Sequence, residues 1–291
     1  MTVHTVLGQD SGSQGKTDLS DGTTVEMPLL TRRARSFAAV FGISSARASA
    51  LMPTSRLRPV IIRPGRALAI IQIMEYLEKS IEPYREFTVS IPVRRDSRVA
   101  LPFYDLAGWA RSRSGIYITH IGVDNHQAQI VGREVLGFPK VLSDVQFHST
   151  PTSHSAEVTV GGASVLTLSV RRAAERRLAS RQLDFYCHSL SPIDNKVLYI
   201  PYQSESSAGF ALGTRSARLH LGDHPIAREI RDLDIANGAL IGVDIPQYAL
   251  VSNRPDGAID AGAWRDPRHE YRTARATVTR PSASADGGES A

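Results

Sequence analysis

Six runs of β-branched and alternating apolar residues, spread from residue 66 to residue 221, restrict this chain to a fold built mainly from strands. Arg66 to Met74 (RALAIIQIM), Glu86 to Val93 (EFTVSIPV) and Gly115 to Val123 (GIYITHIGV) approach the two-residue period of a pleated strand. Ala156 to Val170, broken at Gly161-Gly162, Lys196 to Tyr202 and Arg215 to Leu221 read the same way. Helix signals are fewer. Ser44 to Leu51 opens on a serine, and Ile226 to Leu233 follows Pro225, a residue suited to a first helical turn. Asp124-Asn125 can cap a third helix from about His126 to Leu136, with Ala128, Val131 and Val135 on one face. Gly137 then supplies a left-handed stop, and Pro139 forbids continuation. Many strands, few helices and no βαβ alternation predict an α+β protein: one large, mostly antiparallel sheet or closed barrel in a single domain.

The ends have a different texture. Residues 1–30 are rich in Gly, Ser, Thr and Asp and read as a disordered arm. Residues 262–291 turn basic, then end SASADGGESA, and read as a disordered tail. Residues 31–261 are left as the globular domain.

Composition closes several alternatives. Hydrophobic residues at 42% and charged residues at 22% exclude a wholly disordered chain. A single cysteine, Cys187, excludes an internal disulfide framework and fits a reducing compartment. No apolar run reaches the roughly 18 residues of a membrane span, and the first residues lack the basic-then-apolar pattern of a secretory signal. A cytoplasmic location, away from membranes, is the expectation. Net charge is +5, but much of the excess lies in the tail (Arg265, Arg268, Arg272, Arg275, Arg280) and in Arg32, Arg33 and Arg35. No Arg-rich face with interleaved aromatics is apparent within the globular part, so a nucleic-acid surface is not expected.

Only four lysines occur: Lys16, Lys79, Lys140 and Lys196. Lys16, Lys79 and Lys196 lie in polar contexts where a solvated ammonium costs nothing. Lys140 is different. It follows Gly137-Phe138-Pro139 at the predicted helix stop and precedes Val141 and Leu142. Burial penalises an ammonium relative to its amine, and a neutral amine attacks ketones to form a Schiff base. The alternative is a lysine whose stem lies on apolar surface while its nitrogen reaches water.

The string Gly132-Arg133-Glu134-Val135-Leu136-Gly137-Phe138-Pro139-Lys140 resembles the Schiff-base segment of the acetoacetate decarboxylase family, with its GRE…(F/Y)PK pattern. Gly115-x-Tyr117 and Asp124-Asn125 stand at the family's spacing before it. Tyr84-x-Glu86 with Ile91-Pro92-Val93 resembles the segment bearing a catalytic glutamate, and Gly213 to His224 resembles a further stretch. The resemblance covers roughly residues 35–255. It implies a carbon–carbon lyase that decarboxylates a small 3-oxo acid, such as acetoacetate, through an imine and an enamine. It also implies a homo-oligomer.

Lys140 is then the imine-forming amine and Glu86 the group that moves protons. Phe138, Gln72, His120 and Arg35 are candidates for substrate contact, with Arg133 and Glu134 holding the lysine loop. Phe138 and His120 also admit readings as core residues, and Gln72 as the partner of a buried backbone group. Three departures stand out. The family's second lysine is Val141 here, an acid is replaced by Gln72, and an arginine falls near Ala34, with Arg33 or Arg35 as approximate substitutes. Aldol or dehydration chemistry on pyruvate-like acids is therefore an alternative, as is a non-catalytic ligand binder.

Other motifs fail. There is no G-x-G-x-x-G, P-loop or G-x-S-x-G. Cys187 and His188 are adjacent and would face opposite sides of a strand. His148 and His154 lack partners at metal spacing, and Asp232-x-Asp234 lacks the glutamate of a calcium loop. No metal and no organic cofactor are expected, and the expected partner is a small oxo acid.

Overall fold

A computed structural model describes residues 14–97, 114–172 and 180–262 of the chain. Along β6 (Arg66–Lys79), Ile71 and Ile73 bury themselves on one side of the strand while Gln72, Met74 and Tyr76 turn toward an interior on the other. A strand packed on both faces needs the nearly continuous apolar run seen in the sequence. Its antiparallel neighbours are β3 (Leu29–Ser44) and β7 (Tyr84–Arg95). From β3 the sheet continues through β16 (Ala239–Ser252), β14 (Lys196–Leu212), β13 (Arg181–Leu190) and β8 (Ser114–Val123). Strand β8 then pairs back onto β7, closing a seven-stranded barrel. All its pairings are antiparallel except β13 with β8. A barrel this small has an interior that side chains nearly fill, with room for at most a small ligand.

Three short strands, β4 (Leu57–Pro59), β5 (Ile61–Arg63) and β17 (Gly257–Asp260), pair with β7, β6 and β14. Outside the barrel lies a four-stranded antiparallel sheet of β10 (Asp144–Ser149), β11 (Ser153–Val160), β12 (Ala163–Arg171) and β15 (Ala217–Leu221). Gly161 and Gly162, at φ of 56° and 80°, make the predicted break between β11 and β12. Phe37, Ile71, Ile73 and Phe87 from the barrel wall share a core with Val158, Leu166 and Leu168 of the outer sheet. Each such buried side chain contributes about 1.5–3 kcal/mol.

The three expected helices are present. They are α1 (Ser45–Ala50), capped by Ser44, α2 (His126–Glu134), capped by Asn125, and α3 (Pro225–Arg231), opened by Pro225. Strands β3, β13 and β16 were not apparent from the sequence. In β3 the Arg32, Arg33, Arg35 cluster interrupts the apolar alternation, and the pairing with β6 shifts register there. Pro246 and the register shifts around it do the same in β16.

The expected disordered arm is corrected in its second half. Residues 16–26 form a hairpin of β1 (Lys16–Asp18) and β2 (Thr24–Glu26), and β3 already begins at Leu29. Leu19, Val25 and Met27 are buried in the apolar cluster inside the barrel. Strands of three residues are too short to display a period, and their order comes from the surface they cover. Residues 1–13 of the arm and 263–291 of the tail lie outside the described residues. No described helix is long and apolar enough to cross a membrane.

Candidate active site

Strand β8 sets the position of both candidate catalytic residues. Its Val123 is the register partner of Glu86 on β7, and its Ile121 that of Lys140, the first residue of β9 (Lys140–Leu142). Two residues far apart in sequence are thereby brought to one end of the barrel. Lys140 Nζ donates to Glu86 Oε2 at 2.8 Å, with the two residues 4% and 5% exposed. Tyr76 Oη donates to the other carboxylate oxygen, Oε1, at 3.2 Å.

The loop that delivers Lys140 is held at several points. Asn125 Oδ1 accepts from Ala128 N at 2.9 Å, fixing the start of α2. Gly137 turns the chain at φ 64°, and a side chain there would collide with Leu198. Phe138 N donates to Gly132 O at 2.8 Å, and Ser189 Oγ to Gly137 O at 2.9 Å. Arg133 Nη1 donates to the backbone oxygen of Lys140 at 3.2 Å. Gly132 faces the lysine stem directly: a Cβ at that position would lie 2.5 Å from Lys140 Cε.

Lys140 and Glu86 open onto a hollow inside the barrel that offers about 70 Å3 to the centres of water molecules. A single water needs roughly 10–15 Å3 on that measure, so a small organic molecule fits. Ile116, Ile118, Leu136 and Phe138 make much of the wall apolar. Four phenols, Tyr76, Tyr84, Tyr202 and Tyr248, supply polar edges, and burial pushes all four up so that they stay neutral donors. Cys187 also lines the space, and burial pushes its thiol up. His188 stacks on Tyr186 and meets Tyr199 edge-on, residues of a different apolar cluster, so the adjacent Cys187 and His188 do not form a dyad.

The remaining candidates divide. Gln72 and Phe138 line the hollow, and Gln72 Nε2 donates to Ser36 Oγ at 2.8 Å. Arg133 bonds the backbone of the lysine loop at Lys140. Glu134 does not; it accepts from Ser20 N at 2.9 Å and from Ser20 Oγ, so it ties the N-terminal hairpin to α2. His120 is corrected as a substrate contact. The pairing of β7 with β8 shifts between Val89 and Ser90, reversing parity along β8, so Ile118 and Ile121 face the hollow while His120 does not. Its Nε2 lies 2.8 Å from Glu229 Oε2 on α3. Arg35 is corrected too. It pairs with Glu75 at 2.5 Å, Glu75 also holds Arg85 at 3.0 Å, and the Arg35 guanidinium covers Phe147 of the outer sheet. Ala34, beside it, is the residue whose side chain joins the inner cluster.

Lys79 is the residue that sequence reasoning misplaced. Expected in water, it lines the hollow, and its Nζ donates to Tyr84 Oη at 3.1 Å. Burial and the nearby Lys140 lower its ammonium to about 7. A signal was present in the hairpin linking β6 to β7: Tyr76 and Tyr84 are register partners, and Lys79 lies between them in sequence. Among the described residues no cluster of three His, Cys, Asp or Glu side chains could hold a metal ion.

The family model described as "Acetoacetate decarboxylase (ADC)" matches residues 19–251. Among solved structures, the acetoacetate decarboxylase from Legionella pneumophila superimposes with a TM-score of 0.55 at 14% identity, over 80% of this chain and 87% of that one. A structure described as "Structural Studies of Acetoacetate Decarboxylase" superimposes with a TM-score of 0.56 at 19% identity, over 80% and 89%. At these identities the likeness is one of fold. No curated protein matched the sequence.

Proposed function

The chain belongs to the acetoacetate decarboxylase family, a family of enzymes, and from that premise we propose that it is a Schiff-base-forming carbon–carbon lyase acting on a small 3-oxo acid. The observation that carries the reading is the buried pair of Lys140 Nζ and Glu86 Oε2, 2.8 Å apart at the wall of a small hollow. An amine must shed a proton before it can attack a carbonyl, and Glu86 is within reach to accept it.

The reaction then runs as follows. Lys140 Nζ adds to the ketone carbon, and the carbinolamine loses water to give a protonated imine. The bond to the carboxylate carbon breaks, carbon dioxide leaves, and the electron pair moves into the imine to form an enamine. A proton taken up from water after carbon dioxide has left, with Glu86 as the nearby carrier, adds to carbon and gives the imine of the product ketone. Water hydrolyses that imine and frees the lysine. The apolar wall keeps bulk water from protonating or hydrolysing intermediates early, and a negative Glu86 disfavours the carboxylate before it leaves.

Gln72 favours a second reading. Its neutral amide lines the hollow where the family resemblance places an acid, so condensation or dehydration of a pyruvate-like acid on the same lysine is the alternative. Borohydride reduction with acetoacetate, followed by peptide mass spectrometry, tests the lysine, and acetone and carbon dioxide test the outcome. An adduct on Lys140 with both products supports decarboxylation. An adduct with condensation of pyruvate and an aldehyde supports the second reading. Tight binding of the oxo acid with Lys140 unmodified leaves a binding protein.

A further inference from the structure

Lys79 ends β6 and lines the same hollow as Lys140. Its ammonium lies 4.1 Å from the centre of the Tyr76 ring and 5.1 Å from that of Tyr84. Lys140 Nζ is also 5.1 Å from the Tyr84 ring centre, so one aromatic ring walls both amines. The charges around the space do not balance. Glu86 is its one lining carboxylate among the described residues and is engaged with Lys140, while Lys79 makes no ion pair among them. Its ring contacts and its phenol oxygen soften the loss of water without cancelling the charge.

We propose that Lys79 is the cation that receives the substrate's carboxylate, so that the site selects oxo acids over neutral ketones of the same shape. The proposal rests on Lys140 as the imine-forming amine. A ligand with its ketone carbon at Lys140 and its carboxylate at Lys79 spans the Tyr84 ring and neutralises the surplus charge. For decarboxylation the contact belongs to the ground state, because the carboxylate loses its charge as carbon dioxide forms. Lys79 therefore lowers KM without raising kcat.

The groups facing Lys79 give this binding a pH dependence. Tyr76 and Tyr84 lie beside it, Glu86 and Lys140 near it, and Tyr202 and Tyr248 line the same hollow. The phenols are neutral, so the electrostatic influences on the amine are Lys140, which disfavours its charge, and Glu86, which favours it. With the empty-site ammonium near 7, the charged form that holds a carboxylate becomes scarce above that pH. KM for an oxo acid then rises with pH, approaching tenfold per unit.

The test compares wild type, Lys79→Met and Lys79→Arg with acetoacetate and with 4-methylpentan-2-one, a neutral ketone of similar shape. Borohydride trapping is read by peptide mass spectrometry, and KM and kcat are followed from pH 6 to 9. Lys79→Met should trap 4-methylpentan-2-one on Lys140 as wild type does, which also reports an intact cavity. Its KM for acetoacetate should rise about tenfold to hundredfold, with kcat unchanged or raised and never lowered. Lys79→Arg should restore affinity and flatten the rise of KM with pH. Equal loss with both ligands, unchanged KM in Lys79→Met, or an adduct on Lys79 itself overturns the proposal. If wild type traps neither ligand, the imine reading fails instead. Calorimetric binding of acetoacetate to wild type and Lys79→Met then decides the carboxylate contact, equal affinities ruling it out.

Discussion

Gly132 on α2 leaves the space that the Lys140 stem occupies: a Cβ at residue 132 would lie 2.5 Å from Lys140 Cε and closer still to Cδ. The glycine of the GRE segment is thus a packing requirement of the lysine that follows the end of α2 at Glu134. Its φ is not positive, so space alone is at issue.

Gly132→Ala should separate folding from function. Alanine favours the helix by up to about 1 kcal/mol, while the flexible lysine stem yields and moves Nζ away from Glu86. The expected outcome is a thermal midpoint within a few degrees of wild type and a rate of borohydride trapping reduced by about tenfold or more. Wild-type trapping in this variant would show that the stem has room to spare.

Glu86→Gln should cost activity in a different way. The amide preserves the shape of the pair but cannot accept a proton from Lys140, a loss of about 10²–10⁴ in kcat for a general acid–base group. Removing one partner of a buried pair also destabilises by about 3–5 kcal/mol where the other charge persists. Steady-state kinetics and urea denaturation read the two effects separately.

His188 predicts a stability slope on the acid side. Burial lowers its imidazole to about 3, against 6.5 in the unfolded chain. Between those values the unfolded state binds the proton and the folded state does not, so stability rises with pH. The contribution is complete above pH 6.5 and is lost as pH falls toward 3, at about 1.4 kcal/mol per unit within the window. Urea denaturation of wild type and His188→Phe between pH 4 and 7 should show a shallower slope in the variant.

The cavity phenols predict the opposite slope on the alkaline side. Tyr76, Tyr84 and Tyr202 are raised well above 10 by burial, and Glu86 disfavours their phenolates further. Above pH 10 the unfolded chain ionises while the folded chain keeps its protons, so stability falls as pH rises, by up to about 1.4 kcal/mol per unit for each group. Cys187 adds the same sign from about pH 9. Its thiol should resist iodoacetamide in the folded protein at pH 8 and react once urea unfolds the chain. Prompt alkylation under native conditions would contradict its place in the wall.

The lysine segment was legible because its determinants are local. Asn125 caps α2, Gly137 stops the chain, and Lys140 follows within three residues, so the sequence alone places a lysine after a helix end. The same holds for β6, β7 and β8, whose β-branched, largely apolar runs mark them as strands without reference to a partner. Strands β3 and β16 were hidden because their bulges break that alternation, and a bulge has meaning only against a partner strand. His120 and Arg35 were misplaced for the same reason: a register shift decides which way a side chain faces, and no single strand displays it.

By itself, then, the sequence determined a mostly-β chain and a lysine delivered on a rigid loop, since capping, turns and strand period depend on near neighbours. Only the tertiary pairing of strands decided that Lys140 meets Glu86, that the half-buried Lys79 lines the hollow beside Tyr84, and that the N-terminal hairpin packs onto the barrel. Those outcomes depend on contacts between residues distant along the chain, and burial is a property of the surfaces that meet.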